Sequence, residues 1–256
     1  MAGDSINLLV TLAPSTRLVL LTQGSTKIFK SPSRDVLTTQ VTTFEVADGA
    51  ALCYLPDPVQ PFGASAFEQR QVYNVAGTSA NLCVCDWVSE GRTARGEKWS
   101  FRTYTSRNEI WLASEGGKRR LMLRDNVILD GSTVASETVV ARMRELGVFG
   151  TLILCGEMFR SLAAYFMEEF KSLPQIGARQ WDKPEELSAT EVQRAARVEQ
   201  EKKDGLLWTA ASLRGFVVVK FGANEVEGAK RWLRHMLKAD GTVEREFGDR
   251  ALLCLR

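Results

Sequence analysis

Asp86 is the residue in this chain that most needs a chemical explanation. Leu82, Val84, Asp86 and Val88 alternate with Cys83, Cys85 and Trp87, so a strand here sets a carboxylate in an aliphatic row. Both sides of that strand are largely apolar, which predicts burial on both faces. A carboxylate in such a place must be paired, hydrogen-bonded or wetted by internal water. Arg92 and Arg95 are close enough in sequence to pair with it. The alternative is transport chemistry. Asp86, Glu97 and Asp57 would offer carboxylate oxygens along a polar passage, where spaced hard ligands hand on a divalent cation without trapping it.

Other constellations are weaker. Cys83-x-Cys85 puts both thiols on one side of a strand, which suits either a soft-metal contact or two small buried hydrophobes. No second cysteine pair completes a zinc tetrahedron. His235 is the one histidine, with no Gly-x-Ser-x-Gly motif to supply a nucleophile, so it reads as a surface or packing histidine on a helix. Gly24-Ser25-Thr26-Lys27 lacks the order of a phosphate loop and reads as a tight turn into a strand. Pro56-Asp57-Pro58 and Pro61 impose a stiff, non-helical segment. It serves equally as a rigid connection between strands or as a preformed docking loop, with Pro56, Pro58, Phe62 and Arg92 the candidate partner-binding residues.

The elements that must position these residues are mostly strands. Residues 5–130 are rich in Val, Thr, Leu, Ile and aromatics, and turn signals recur every 8–15 residues or so. Expected strands are 6–12, 17–22, 27–30, 37–46, 51–55, 67–75, 81–88, 98–105, 109–113 and 119–125. Trp99 and Phe101, alternating with polar neighbours, predict a half-exposed strand. Beyond residue 130 the pattern becomes mixed. Helices are expected at 137–146, from 156 to about 173, and at 224–238, and strands at 148–155, 206–213 and 215–221. Residues 185–203 are charged and begin with the capping-box pair Ser188 and Glu191, which predicts an exposed helix or a mobile insertion. No internal repeat is evident. The expectation is one domain over 1–256, mainly β with a few helices (α+β): β-rich over 1–130, mixed strand and helix over 131–256, with two packed main helices in the C-terminal half and a charged insertion at 182–204.

Of 256 residues, 45% are hydrophobic and 25% charged, which is ordinary globular composition. A net charge of +2 gives no electrostatic case for nucleic acid. No apolar run approaches the roughly 18–20 residues that span a bilayer. Five irregularly spaced cysteines do not suggest a disulfide framework. A cytoplasmic protein is expected.

Several short motifs occur in a fixed order: Gly3-Asp4, Thr22-Gln23-Gly24-Ser25-Thr26-Lys27, Pro56-Asp57-Pro58, Pro61-Phe62-Gly63-Ala64, Asp86-Trp87, Gly91-Arg92, Gly96-Glu97 and Trp99. Together they resemble the urease accessory protein D/H family. The resemblance is dense to about Asp130 and thinner through Arg142-Met143, 151–156 and 213–222. It implies a non-catalytic, β-rich scaffold that binds a urease accessory F-type protein, which in turn carries a G-type GTPase, and that takes part in nickel insertion into apo-urease. It implies no permanently bound cofactor, only nickel in transit through an internal tunnel; Asp86, Glu97 and Asp57 are then the candidate path residues. With no nucleotide motif here, GTP dependence would come from the partner. Family members carry several tens of residues and a Gly-rich motif before Gly-Asp, whereas here Gly3-Asp4 follows Met1-Ala2. By that comparison the chain looks shortened, and its first strand is expected at an unpaired sheet edge that favours self-association.

Two other classes fit parts of the sequence. One is a β-rich protein-interaction module of unrelated function. The other is a hydrolase using Asp86 and Glu97 as paired carboxylates, although nothing in the sequence places them in one cleft.

Overall fold

The computed structural model describes residues 1–113, 118–131, 138–173 and 188–256. Two stacked sheets carry the fold. The first has five strands in the order β1 (Ser5–Leu12), β4 (Thr38–Val46), β7 (Ala66–Val75), β9 (Thr103–Ala113) and β10 (Arg119–Asp130). The second runs β12 (Leu207–Leu213), β13 (Phe216–Ala223), β11 (Val148–Cys155), β8 (Asn81–Ser89), β5 (Ala51–Tyr54) and β2 (Arg17–Leu20), with β3 (Thr26–Ile28) and β6 (Val59–Pro61) attached beside β8.

The chain reaches this arrangement by winding. It lays β1 in the first sheet, crosses to β2 and β3 in the second, returns as β4, crosses again to β5 and β6, returns as β7, and crosses once more to β8 before β9. Each return enters the sheet in the same direction, so β1, β4, β7 and β9 are parallel and in register. β1 ends the sheet, and Ile6, Leu8 and Leu9 on it are exposed.

The far face of the second sheet is covered by helices. α2 (Arg160–Lys171) and α4 (Val226–Asp240) bring Leu162, Phe166, Trp232, Leu233 and Met236 onto Cys85, Trp87, Leu152 and Phe221. Gly150 of β11 lets this face close. A Cβ there would lie 2.5 Å from the Phe221 ring and 2.6 Å from Trp87. α3 (Ala189–Lys203) begins at Ser188 with the expected capping box, both reciprocal bonds formed. It is less exposed than its composition predicts. Arg197 and Glu201 are buried, and α3 docks through Glu169 of α2, which accepts two bonds from Arg194 (2.7 and 2.9 Å) and one from Arg197 (2.6 Å). Arg197 also pairs with Glu201 at 2.9 Å. α1 (Val139–Met143) is shorter than the expected 137–146, of which residue 137 lies outside the described residues. α5 (Thr242–Phe247) and a 3₁₀ turn (Asp249–Leu255) close the C-terminal end.

Two strand expectations need correction. The expected 98–105 and 109–113 segments are one strand, β9, that starts only at Thr103. Trp99 is buried with φ +48°, a left-handed conformation no strand accommodates. Its indole N–H donates to the Leu146 carbonyl at 2.8 Å, which ties this loop to the turn before β11.

Candidate functional site

In-register stacking puts like positions of successive circuits side by side. Gln40 of β4 pairs with Gln69 of β7, which pairs with Ser106 of β9; Thr42, Gln71 and Asn108 do the same one inward position along. Asp125 of β10 lies opposite Asn108. In the facing sheet, Thr151 of β11 stands between Asp86 of β8 and Lys220 of β13. Apolar clusters fill the sandwich on either side of these residues. One contains Phe44, Leu52, Tyr73, Val84, Ile110 and Ile153; the other contains Phe67, Val88, Phe101 and Tyr104. The polar residues therefore form a buried layer that crosses the sandwich between two dry compartments.

Asp86 sits in this layer among neutral donors. Its Oδ1 accepts from Gln69 Nε2 at 2.6 Å, and its Oδ2 accepts from Asn108 Nδ2 at 2.7 Å and from the Ser106 hydroxyl. Burial pushes its carboxyl above the usual range. The Ser106 and Asn108 bonds and the Lys220 charge pull it back, and Asp125 adds to the rise. Beside it, Lys220 donates to Asp125 and, at 3.0 Å, to Thr151, whose hydroxyl donates to Asp125 at 3.0 Å. Lys220 and Asp125 are 30% and 14% exposed at their side chains, so the layer reaches solvent at this end. Thr42 Oγ1 and Asn108 Oδ1 are buried with no hydrogen-bond partner among the described residues, which leaves spare capacity for a guest or a water.

The arginine pairing expected for Asp86 is not formed. Arg92 instead makes two bonds to Glu97, stacks over the Phe62 ring at 3.9 Å, and leaves Asp86 without a direct counter-ion among the described residues. Glu97 also accepts the Gly63 N–H at 2.9 Å. Arg92 first, then Gly63, holds its carboxyl down at about 2. Asp57 is elsewhere again. It pairs with Lys230 of α4 at 3.0 Å and accepts from Gly24 N–H at 3.2 Å, which pins the turn into β3 read from Gly24-Ser25-Thr26-Lys27. Asp57, Asp86 and Glu97 thus share no hydrogen-bond or ion-pair partner: Asp86 is held inside the sandwich by Gln69, Ser106 and Asn108, and Glu97 by Arg92 and Gly63 in a loop. Only Asp86 lies in the polar layer. Gln69, Ser106, Asn108, Asp125, Thr151 and Lys220 were not picked out by sequence.

The docking expectation also shifts. Pro56, Pro58 and Phe62 are buried, and only Arg92 of the four is partly exposed. The Pro56 carbonyl accepts the Trp87 indole N–H at 2.8 Å, so the stiff segment is an internal brace. Cys53 and Cys83 adjoin across β5 and β8 in the helix-side core with Cys85. The contact with Cys53, then burial, pushes the Cys83 thiol up, and burial does the same to Cys85, so these are packing thiols. Among the described residues no group of three or more His, Cys, Asp or Glu side chains is placed to hold a metal, and no helix is long and apolar enough to cross a membrane.

Comparison with known proteins matches the description "UreD urease accessory protein" over residues 1–253. A urease accessory protein ureD-like chain of Schizosaccharomyces pombe is 27% identical, covering 91% of this chain and 75% of its own length. Urease accessory protein 4 of Cryptococcus neoformans is 28% identical, with 94% and 75% covered. Urease accessory protein UreD of Anaeromyxobacter is 30% identical, with 93% and 68% covered. With a match running almost from end to end, and with the strand-rich, helix-backed fold its motifs imply, this chain belongs to the UreD family of urease accessory proteins.

Proposed function

We propose that the protein is a urease maturation factor: a non-catalytic scaffold that binds an F-type accessory protein and, through it, a G-type GTPase, and that assists nickel insertion into apo-urease. Family membership supports the maturation role. The observation that carries the finer reading is the buried polar layer with Asp86 at its centre. Amide, hydroxyl and carboxylate oxygens there suit a borderline divalent ion, and one unneutralised carboxylate attracts it. Asp125 and Lys220 stand where the layer meets solvent. The layer offers nickel, the cargo, a succession of single oxygen contacts instead of a closed cage, which permits passage. Glu97 and Asp57 have structural partners, so their part is to hold the loop at Gly63 and the turn at Gly24.

Asp86→Asn separates transport from structure. The substitution keeps volume and removes a buried charge that lacks a direct counter-ion. The spare Asn108 Oδ1 becomes a partner for the new amide N–H once the Asn108 amide turns over. Stability at neutral pH is expected to stay within about 1 kcal/mol of wild type or to exceed it. The sign with pH is fixed by the raised carboxyl: the folded state holds the proton more tightly than the unfolded state. Wild type therefore gains stability as pH falls through the folded pKa toward 3.8, and the variant lacks that gain. Urease activation in a scaffold-deficient urease-positive cell is expected to drop about ten- to a hundredfold, the effect of losing a charged contact worth roughly 1.5–3 kcal/mol. Normal activation by an equally stable Asp86→Asn protein would remove the conduit.

A further inference from the structure

The outward side of α4 is cationic. Lys230, Arg231, Arg234 and Lys238, with Arg256 from the C-terminal turn, line a cavity of about 350 Å³ in which Glu227 is the one acidic lining residue among the described residues. His235, the single histidine, lines this cavity and two neighbours of about 570 and 310 Å³ that lie against α3, so the three form a furrow. Most of these cations are engaged locally: Lys230 with Asp57 (3.0 Å), Arg231 with Asp204 (3.2 Å), Lys238 with Glu244 (3.0 Å) and, in a long and exposed pair that a partner's carboxylate can replace, Arg256 with Asp249 (3.9 Å). Arg234 is not. It has no ion pair among the described residues, and its Nε is buried without an acceptor. On the α3 wall, buried Arg197 likewise has an Nη2 without an acceptor. Arg197 is already met by Glu169 and Glu201, so Arg234 is the guanidinium on this furrow whose charge no carboxylate among the described residues neutralises, and it can take a carboxylate or phosphate oxygen.

We infer that this furrow binds an acidic segment of a protein partner, whose carboxylates pair with Arg234 and Arg256. From Lys230 to Lys238 the helix rises about 12 Å, the span of roughly four residues of extended peptide. Carboxylates stand among the cations on the same rim, Glu227, Asp204 and Glu244 among them. They repel an evenly charged polyanion such as nucleic acid, while a peptide with a few separately placed acidic side chains fits between them. The inference deepens the scaffold reading by naming a docking face and the chemistry of its occupant.

The test uses the full chain with two probes: a labelled glutamate-rich peptide followed by fluorescence anisotropy, and purified F-type accessory protein and apo-urease followed by co-purification. Arg234→Glu is expected to weaken peptide binding by about tenfold or more, and Arg120→Glu on the far sheet to leave it unchanged. Raised salt should weaken the wild-type interaction. Bound peptide should also raise the His235 pKa, which burial and then Arg197 now hold low, and NMR reads this from the one imidazole. Equal peptide affinity of wild type and Arg234→Glu, with an unchanged melt, overturns the proposal. So does displacement of the peptide by an equimolar amount of inorganic phosphate, which marks a simple anion site. If the wild type binds peptide and captures neither accessory protein nor apo-urease, the scaffold reading fails and the furrow stands. If it captures them and Arg234→Glu does so equally, with peptide binding also unchanged, the furrow falls and the scaffold stands.

Discussion

Trp87→Ala is expected to lower the unfolding free energy by about 3–5 kcal/mol, the range for deleting a large buried aromatic. At about 2–4 °C per kcal/mol for a chain of this size, Tm falls by roughly 6–20 °C. Two losses combine. The ring is packed in the helix-side core, 5.9 Å from Phe221 between centroids. Its N–H is also the donor that satisfies the Pro56 carbonyl. Trp87→Phe separates them, because it keeps most of the apolar contact and leaves that carbonyl unpaired at a cost of about 1–3 kcal/mol. Urea titration of both variants checks the ordering. A Trp87→Ala loss below about 1 kcal/mol, the size of an average substitution, would show that this core does not depend on the indole.

Glu169→Ala should cost about 3 kcal/mol, the low end for breaking a buried ion pair, because Glu201 still faces Arg197. Arg194, a quarter exposed at its side chain, can turn to water; Arg197, at 4%, cannot. Glu169 is held below its ordinary 4.5 by Arg194 first and then by Arg197. Its contribution is therefore complete above the unfolded pKa and is lost as pH falls through the folded value. The acid-induced loss of wild type should accordingly be smaller in the variant. Combining Glu169→Leu and Arg197→Met with Glu201→Gln, which keeps an acceptor for the Trp208 and Trp232 indoles and leaves no buried carboxylate unpaired, should restore much of the stability, since well-packed replacements of a buried ionic group are often neutral. A triple variant as unstable as Glu169→Ala would mean that α3 docks through something other than this ionic cluster.

The sequence was legible wherever a structural signal is local. β11 runs Val148–Cys155 as its apolar run predicts, and α3 begins where Ser188 and Glu191 place it. The winding course was not legible. Parallel strands returning from another sheet leave no turn between paired neighbours, and the circuits share a backbone path without a sequence repeat. Asp86 stood out because three aliphatic residues flank it in phase. Its partners carried the same signature more faintly: Gln69 and Gln71 between Phe67 and Tyr73, Ser106 and Asn108 between Tyr104 and Ile110, Thr151 between Phe149 and Ile153. Each alone resembles a surface position on a half-exposed strand, and only the register shows that they meet. Trp99 misled for the opposite reason, since its alternation with polar neighbours imitates a strand while its backbone turns left-handed.

The position of β8 sets a timetable for the newborn chain. Its Cys83, Cys85 and Trp87 side is roofed by Phe166 and Trp232, from α2 and α4, and its neighbour β11 follows about sixty residues after it. At about 5–20 residues per second, a ribosome delivers α4 on the order of ten seconds after β8. During that interval α2 can supply Phe166, but the roof over the central strand of the larger sheet stays incomplete until α4 brings Trp232. The larger sheet is therefore closed late, once α4 has emerged, and a nascent chain that pauses before α4 is expected to need shielding by a chaperone.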